Sequence, residues 1–503
     1  MTHRVRFNRI PTLAWYLRIG QKHHMNDNHE FLSAADALLG SRGFTQDADL
    51  MEPWLTDWRG RFTGKALGLA SPASTQEVSE LVKLCAQHDI PIVPQGGNSG
   101  MSGGATPDTS GTAIILSLRR MNAITRFDED AKEVTCEAGV ILQTLHEMAE
   151  SKNLRFPLSL GGKGSATIGG LVSTNAGGTQ VLRHGSMGAQ VLGLQAVLAD
   201  GSIFDSLTPL KKDNRGFDLK QVLIGSEGTL GIVTAATLKL IPALADRAVL
   251  WAGVASILDA RKLLLHADNL AGDALEGFEV LPKHSLDAVL DYAPQSRSPL
   301  QGEHEWHCLI ELTADASTAD RLQDLATKLL ESAFEEGLVE DATIAANETQ
   351  AADFWAIRED ISPAERAIGP AVQHDISVPV SKMAQFVSEA VPQVEAQFPG
   401  TVGVAFGHLG DGNVHYHVLA PKGAERGVWE RKEGKKISSF VYNLVTEWGG
   451  SISAEHGIGQ LKIDELAQLA DPVALKMMRS IKRALDPQER LNPGKLVWLA
   501  DKV

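Results

Sequence analysis

Gly161-Gly162-Lys163-Gly164-Ser165-Ala166-Thr167-Ile168-Gly169-Gly170, followed within eight residues by Asn175-Ala176-Gly177-Gly178, is the stretch that decides how this chain folds. Seven glycines fall between Gly161 and Gly178, whereas 47 glycines in 503 residues would place only about two in such a window. Glycine tolerates positive φ and lets backbone N–H groups approach an anion with no Cβ in the way. Tight turns between strands would leave one such cluster. Two more make turns alone a poor account: Pro94-Gln95-Gly96-Gly97-Asn98-Ser99-Gly100 follows the apolar Ile90-Pro91-Ile92-Val93, and Gly225-Ser226-Glu227-Gly228-Thr229-Leu230-Gly231 follows Val222-Leu223-Ile224, which reads as a strand. A pyrophosphate cradle is the sharper reading. No stretch reads GxGxxG after a strand or GxxxxGK[ST], so neither a Rossmann nor a Walker nucleotide site is supported.

Outward from the loops, the chain has the length for two or three domains, with 43% hydrophobic residues. Lys+Arg number 47 against 62 Asp+Glu, a formal charge of -15, which argues against a nucleic-acid partner. Cys85, Cys136 and Cys308 are far apart and form no CxxC pair, as expected of core filler in a reducing compartment. No uninterrupted apolar run approaches the ~18 residues that span a bilayer. Residues 1–24 hold Arg4, Arg6, Arg9, Arg18 and Lys22 with no Asp or Glu, which leaves two readings. Either this is a transit peptide, or it is an extension ahead of a true start at Met25. The expected location is cytoplasmic, or the mitochondrial matrix if the leader is a transit peptide.

Ser74-Thr75-Gln76-Glu77 has the form of a capping box before Val78, Leu81, Val82 and Cys85 on one helical face. A strand around Val134 and a helix over 140–150 continue the pattern. Composition shifts at Ile241-Pro242, where glycine thins. This divides the chain into 51–241, 242–448 and a C-terminal helical segment, 449–503. Helices over 317–331 and 380–395, alternating with strands over 307–312 and 402–406, predict a sheet with helices on one side. The fold class expected is α+β.

Gly407-His408-Leu409-Gly410-Asp411-Gly412-Asn413-Val414-His415-Tyr416-His417 reads strand, turn, strand. His415 and His417 then share a face, and a hairpin returns His408 towards them. Ser453-Ala454-Glu455-His456-Gly457-Ile458-Gly459 adds a carboxylate and a fourth imidazole. Imidazoles with a carboxylate suit Zn, Mn or Fe; the bland alternative is ordinary polar strand residues.

Taken together, the three glycine loops resemble the FAD domain of the vanillyl-alcohol oxidase superfamily (the PCMH type). The C-terminal histidine motifs place the resemblance in its D-2-hydroxyglutarate and D-lactate dehydrogenase branch. The resemblance implies a two-part FAD-binding domain, an α+β cap with an antiparallel sheet, and a C-terminal segment returning to the flavin. It implies FAD contacts from Pro94, Gln95, Gly96, Gly97, Asn98, Ser99, Gly100, Gly164, Ser165, Ile168, Gly169, Gly170, Asn175, Gly178, Glu227, Gly228, Gly231, Ile232 and Asn492. Asn98, Ser99, Ser165 and Ala166 offer no histidine or cysteine for a covalent link, so FAD is expected to be non-covalent; His184 stands where relatives usually carry tyrosine.

The residues matching His408, His415 and Glu455 bind a divalent metal in that family, Zn first with Mn or Fe as alternatives, and the one matching His456 acts on the substrate. Arg358 matches an arginine that contacts the substrate carboxylate, against the bland reading of a surface pair with Glu359 or Asp360, and Ser362 is a minor donor. Gln373 stands where 2-hydroxyglutarate enzymes usually have lysine, and His417 where many relatives have asparagine. Both fall where the substrate tail is expected. The expected activity is metal-assisted oxidation of a D-2-hydroxy acid, D-2-hydroxyglutarate first and D-lactate second, to the 2-oxo acid. An electron-transfer flavoprotein or quinone pool would accept the electrons, and the chain is read as a homodimer candidate. Two alternatives stay open: a flavin oxidase using O₂, and a non-catalytic FAD-binding subunit.

Overall fold

Ser74 does cap a helix: its hydroxyl accepts from Glu77 N (3.2 Å), and Glu77 returns a carboxylate oxygen to Ala73 N (2.7 Å), opening Thr75–Gln87. Val78, Leu81, Val82 and Cys85 on one face of that helix are buried against strands Ile92–Gln95 and Ile114–Ser117. The computed structural model describes residues 28–500, so the basic leader and Met25 lie outside the described residues. Among the described residues, no helix is long and apolar enough to cross a membrane.

Two sheets build the glycine-rich half. The first has four strands in the order Phe44–Thr45, Gly68–Ala70, Ile114–Ser117, Ile92–Gln95; its last three strands are parallel. The second is an antiparallel five-stranded sheet in the order Ile124–Asp128, Glu133–Glu137, Ile232–Lys239, Val191–Val197, Ile203–Ser206. The first glycine loop leaves the end of Ile92–Gln95, the second leads into the helix Ile168–Thr174, and the third runs into Ile232–Lys239. The chain end closes the structure: Leu491 bridges Ile92, and Ile92 N donates to Arg490 O while Asn492 N donates to Ile92 O.

Beyond Pro242 lies a seven-stranded sheet, antiparallel throughout. Its order is Asp341–Ile344, Asp246–Val254, Trp306–Ala314, Leu275–Pro282, Val402–His408, Asn413–Leu419, Ala371–Ser377. Helices cover both of its faces, not one. Ala248, Leu250, Ala252 and Val254 pack into one core and their alternates Val249 and Trp251 into another, so both faces of the central strands are apolar and both demand a cover. Ile257–Ala271, Leu322–Glu335, Met383–Gln397 and Val428–Glu447 lie on the first face. Lys283–Tyr292 and Glu348–Ile368 lie on the second.

Two local expectations are corrected. Val222-Leu223-Ile224 is not a strand, because Leu219–Leu223 forms a short helix with Ile224 just past its end; an apolar run this short carries no periodicity to tell the two apart. The helix read over 317–331 begins instead at Leu322, after a single 3-10 turn at Ala319–Arg321. Asp315 accounts for the delay, since its carboxylate takes Ser317 N and the Ser317 and Thr318 hydroxyls in a local turn.

Candidate active site

A cleft runs between the glycine loops. It is lined by Pro94, Gln95, Gly96, Gly97, Asn98, Ser99, Gly100, Gly169, Gly170, Glu227, Gly228, Gly231 and Ile232 of the expected residues, and by His456. Close backbone approach explains the glycines: a Cβ on Gly97 would overlap the Ser165 carbonyl, and one on Gly96 the Thr167 hydroxyl. Six expected residues stand behind the cleft wall instead. Gly164 and Ser165 form the turn that backs Gly97; Ile168 is fully buried in the core. Asn175 caps the helix Ile168–Thr174 in the left-handed region and accepts from Gly188 N (2.8 Å), Gly178 packs on Ser159 O, and Asn492 donates to Gly104 O and Glu227 O, 2.8 Å each. Glu227 is a lining residue whose carboxylate is already spent. It accepts from Ile458 N and Gly459 N, each at 2.7 Å, with its own φ at 52°. A glutamate in that region is strained by ~1 kcal/mol or more, and these two bonds offset the strain while pinning the His456 turn to the cleft.

A second group of side chains meets this cleft at His456. Register places Phe406 opposite His415, Asp375 opposite His415, Gln373 opposite His417 and Glu279 opposite His408, so one face of the sheet carries them all. His408, His415 and Glu455 each bring one ligand atom within 4.8 Å of the others, as do Asp375, Glu455 and His456. His408 Nδ1 pairs with Glu279, leaving its Nε2 3.9 Å from Glu455 Oε1. A carboxylate behind an imidazole fixes the tautomer and presents a lone pair forward, which is how metal-binding histidines are held.

Charges in this group are mutually adjusted. Burial pushes the Glu455 carboxyl up to about 7, Asp375 and Asp411 adding to the effect against His408 and Arg358. Burial lowers His408, but Glu279 overrides it and carries the imidazole up to about 9. His415 is pushed well down by burial and by the Arg358 and His408 charges. Asp375 accepts from Glu455 N (2.9 Å) and His456 N (3.0 Å), and its Oδ2 lies 3.4 Å from His456 Nδ1. Burial alone would raise Asp375; His456, Lys462 and His415 hold its carboxyl well below the usual range. Burial lowers His456, with Asp375 opposing.

Arg358 pairs with neither Glu359 nor Asp360. Its Nε donates to Glu279 Oε2 at 2.6 Å and its guanidinium stacks 5.0 Å from the Phe406 ring centroid. The terminal nitrogens make no hydrogen bond to the described residues. Ser362 lies one turn further along the same helix. His417 is nearly fully buried and its Nδ1 is taken by Glu365, while Gln373 Oε1 accepts from Arg59 Nη1 at 3.1 Å. His184 is not among the residues that line the cleft, and its Nε2 lies 3.5 Å from Glu276 Oε2.

The profile described as FAD linked oxidases, C-terminal domain, matches residues 244–496, half of the chain, and the FAD binding domain profile matches 66–206. The chain belongs to the FAD-linked oxidase family. A probable mitochondrial D-2-hydroxyglutarate dehydrogenase of Oryza sativa subsp. indica is 39% identical over 93% of this chain and 82% of its own. A putative mitochondrial D-lactate dehydrogenase of Schizosaccharomyces pombe is 34% identical over 90% and 86%. Among solved structures, p-cresol methylhydroxylase shares the fold with a TM-score of 0.72 at 16% identity, covering 93% of this chain and 96% of its own. This FAD-linked oxidoreductase therefore has the vanillyl-alcohol oxidase-type architecture.

Three site residues of this family member were missed in the sequence: Glu279, Asp375 and Arg59. For the first two there was a signal. Glu279 interrupts the apolar strand Leu275–Pro282, and Asp375 follows His374 inside Ala371–Ser377. A charge in a buried strand needs a partner. Arg59 sits in a turn and had none.

Proposed function

We propose that this protein is an FAD-dependent, metal-assisted dehydrogenase of D-2-hydroxy acids, with D-2-hydroxyglutarate the first candidate and D-lactate the second. The observation that carries this is His456: one imidazole lines the flavin cleft and also belongs to the cluster with Asp375 and Glu455. Bound in the cleft, FAD supplies the hydride acceptor. His408, His415 and Glu455 would hold a divalent cation, Zn first, supplying charge to a substrate hydroxyl; two imidazoles and a carboxylate, with Glu279 behind one of them, suit that role.

The chain's own residues do the rest. Arg358 offers free terminal nitrogens in a planar fork that fits the C1 carboxylate, and Glu279 fixes where that fork points. Ser362 adds a hydroxyl from the same helix. Asp375 keeps the His456 proton on Nδ1, leaving Nε2 as the base for the substrate hydroxyl proton. The imidazolium that results lies against the Asp375 carboxylate. Removal of the C2 hydride towards the flavin cleft then leaves the 2-oxo acid. The glycine loops hold FAD without a covalent link. Electrons would leave to an electron-transfer flavoprotein or to quinone.

Anaerobic bleaching of the bound flavin by D-2-hydroxyglutarate, D-lactate and their L-forms tests this, before and after chelation. Bleaching by a D-acid only, abolished by chelator and restored by Zn or Mn, is expected. Bleaching that survives complete metal removal would overturn the metal-assisted step, and a flavin inert to every 2-hydroxy acid would overturn the reaction.

A further inference from the structure

The flavin-side residues 57–62 form a tight turn. Asp57 N donates to Phe62 O (3.0 Å), Gly60 N to Asp57 O (2.8 Å) and Phe62 N to the Asp57 carboxylate (2.7 Å), while Thr56 bridges Thr63. Asn98, from the first glycine loop, anchors the turn by donating Nδ2 to Thr56 O at 2.8 Å. The turn therefore projects Arg59 from the wall of the flavin cleft onto the cap sheet, where it meets Gln373.

The contact is incomplete. Arg59 has no ion-pair partner among the described residues; its guanidinium lies 5.2 Å from the Trp58 ring centroid, its Nη1 donates to a neutral amide, and its Nε and Gln373 Nε2 are both buried without a hydrogen bond. Buried donors on a cation and an amide, side by side, form a site short of an acceptor. Arg61 and Arg366 crowd the same region and, after burial, hold the Arg59 guanidinium down to about 10; Asp57 opposes them only in part. Glu365, fully buried in this end of the cap, gives its Oε2 to His417 and makes no hydrogen bond to Arg59.

Position specifies what the missing acceptor is. Gln373 and Asp375 are two residues apart on one face of Ala371–Ser377, about 7 Å along an antiparallel strand. Asp375 holds His456, so the Arg59–Gln373 pair lies one strand repeat from the base. A three-carbon tail ending in a carboxylate spans that gap; the methyl of a three-carbon hydroxy acid does not reach it. Resting on the D-2-hydroxy-acid reading above, we propose that Arg59, held by Gln373, binds the distal carboxylate of the substrate and makes the enzyme selective for 2-hydroxy dicarboxylates.

The test uses the FAD-loaded, metal-loaded full chain as wild type, Arg59→Met, Arg59→Lys and the double variant Arg59→Met/Gln373→Lys. Two readouts apply. One is the ratio of kcat/KM for D-2-hydroxyglutarate to that for D-lactate; the other is the Kd of glutarate against butyrate, from the perturbed flavin spectrum. Arg59→Met should lower both preferences on the order of 10–100-fold, the effect of losing a charge-assisted bond. Arg59→Lys should keep much of each, and Gln373→Lys added to Arg59→Met should restore them.

Equal losses for both acid classes in Arg59→Met, no change in either ratio for that variant, or a wild type that binds butyrate as tightly as glutarate would overturn the inference. Should Arg59→Met fail to retain FAD, the neutral Arg59→Gln against wild type decides by the same ratios. The two readings fail separately. Glutarate binding that depends on Arg59, in a protein whose flavin no 2-hydroxy acid bleaches, supports the carboxylate site and removes the reaction. Oxidation of D-lactate in preference, indifferent to Arg59, does the reverse.

Discussion

Glu279→Gln tests whether the carboxylate between His408 and Arg358 organises the metal set. Glu279 is 1% exposed, takes Arg358 Nε at 2.6 Å on Oε2, and receives His408 Nδ1 on Oε1. Both partners donate, and glutamine offers only one acceptor. If the amide oxygen faces His408, its NH₂ confronts the Arg358 N–H and the guanidinium loses its anchor. If the amide turns over, NH₂ faces His408 Nδ1, the imidazole proton moves to Nε2, and the lone pair a metal needs is lost.

Loss of such a partner weakens metal binding by about 10–100-fold, or roughly 1.4–2.7 kcal/mol. The buried guanidinium left unpaired adds a stability cost of ~3–5 kcal/mol. Metal affinity would be read by competition with a chromophoric chelator, and activity recovered at high free metal. Wild-type metal affinity in a Glu279→Gln protein that has lost activity would refute the reasoning and reduce Glu279 to an anchor for Arg358.

Gly97→Ala should yield protein without bound flavin, since the added methyl overlaps the Ser165 carbonyl; a normal flavin spectrum after purification counts against the cradle. His456→Asn should retain FAD yet slow anaerobic reduction by ~10²–10⁴-fold, the usual worth of a general base, and an unchanged reduction rate measured by stopped flow excludes that role. Glu276→Gln should lose ~3–5 kcal/mol at neutral pH, because Arg155 (2.6 and 2.9 Å) and Arg183 (3.1 Å) all converge on Glu276. Burial would raise the Glu276 carboxyl, but His184 and Arg155 hold it well below its ordinary 4.5. A carboxyl depressed on folding stabilises above its unfolded pKa and loses that stabilisation as pH falls below it. The gap between wild type and variant in chemical denaturation should therefore be flat above about pH 5 and narrow in acid; a gap independent of pH argues against the charge.

What could be read from the sequence was local. Glycine clusters and the histidine hairpin are short runs whose chemistry is written in adjacent residues, and alternation along a strand predicted that His415 and His417 share a face. Where a contact joins segments far apart, sequence offered only a residue type. Arg358 was chosen for its guanidinium, but its partner lies 79 positions away at Glu279, and the adjacent acids that seemed to compete for it do not bind it. The Glu227 carboxylate was assigned by its loop, yet it is occupied 231 residues further on. Helices on both faces of the cap sheet were missed because a strand buried on two sides reads as a plain apolar run, with no polar alternation to show which side is covered.

The C-terminal segment explains why His456 and the cleft stay in register. Glu455 and His456 sit on a turn gripped from two sides, by Asp375 of the cap through two backbone N–H groups and by Glu227 of the flavin half through two more. Asn492 then ties Glu227 O to Gly104 O, so the anchor is itself fixed to the first glycine loop. A shift of cap against cleft must stretch charge-assisted bonds at one end of this turn or the other, and such bonds are about twice as strong as neutral ones. The position of His456 relative to the glycine-loop cleft is thereby set by a few carboxylate–backbone bonds, while the large apolar cores on either side need only keep each half rigid.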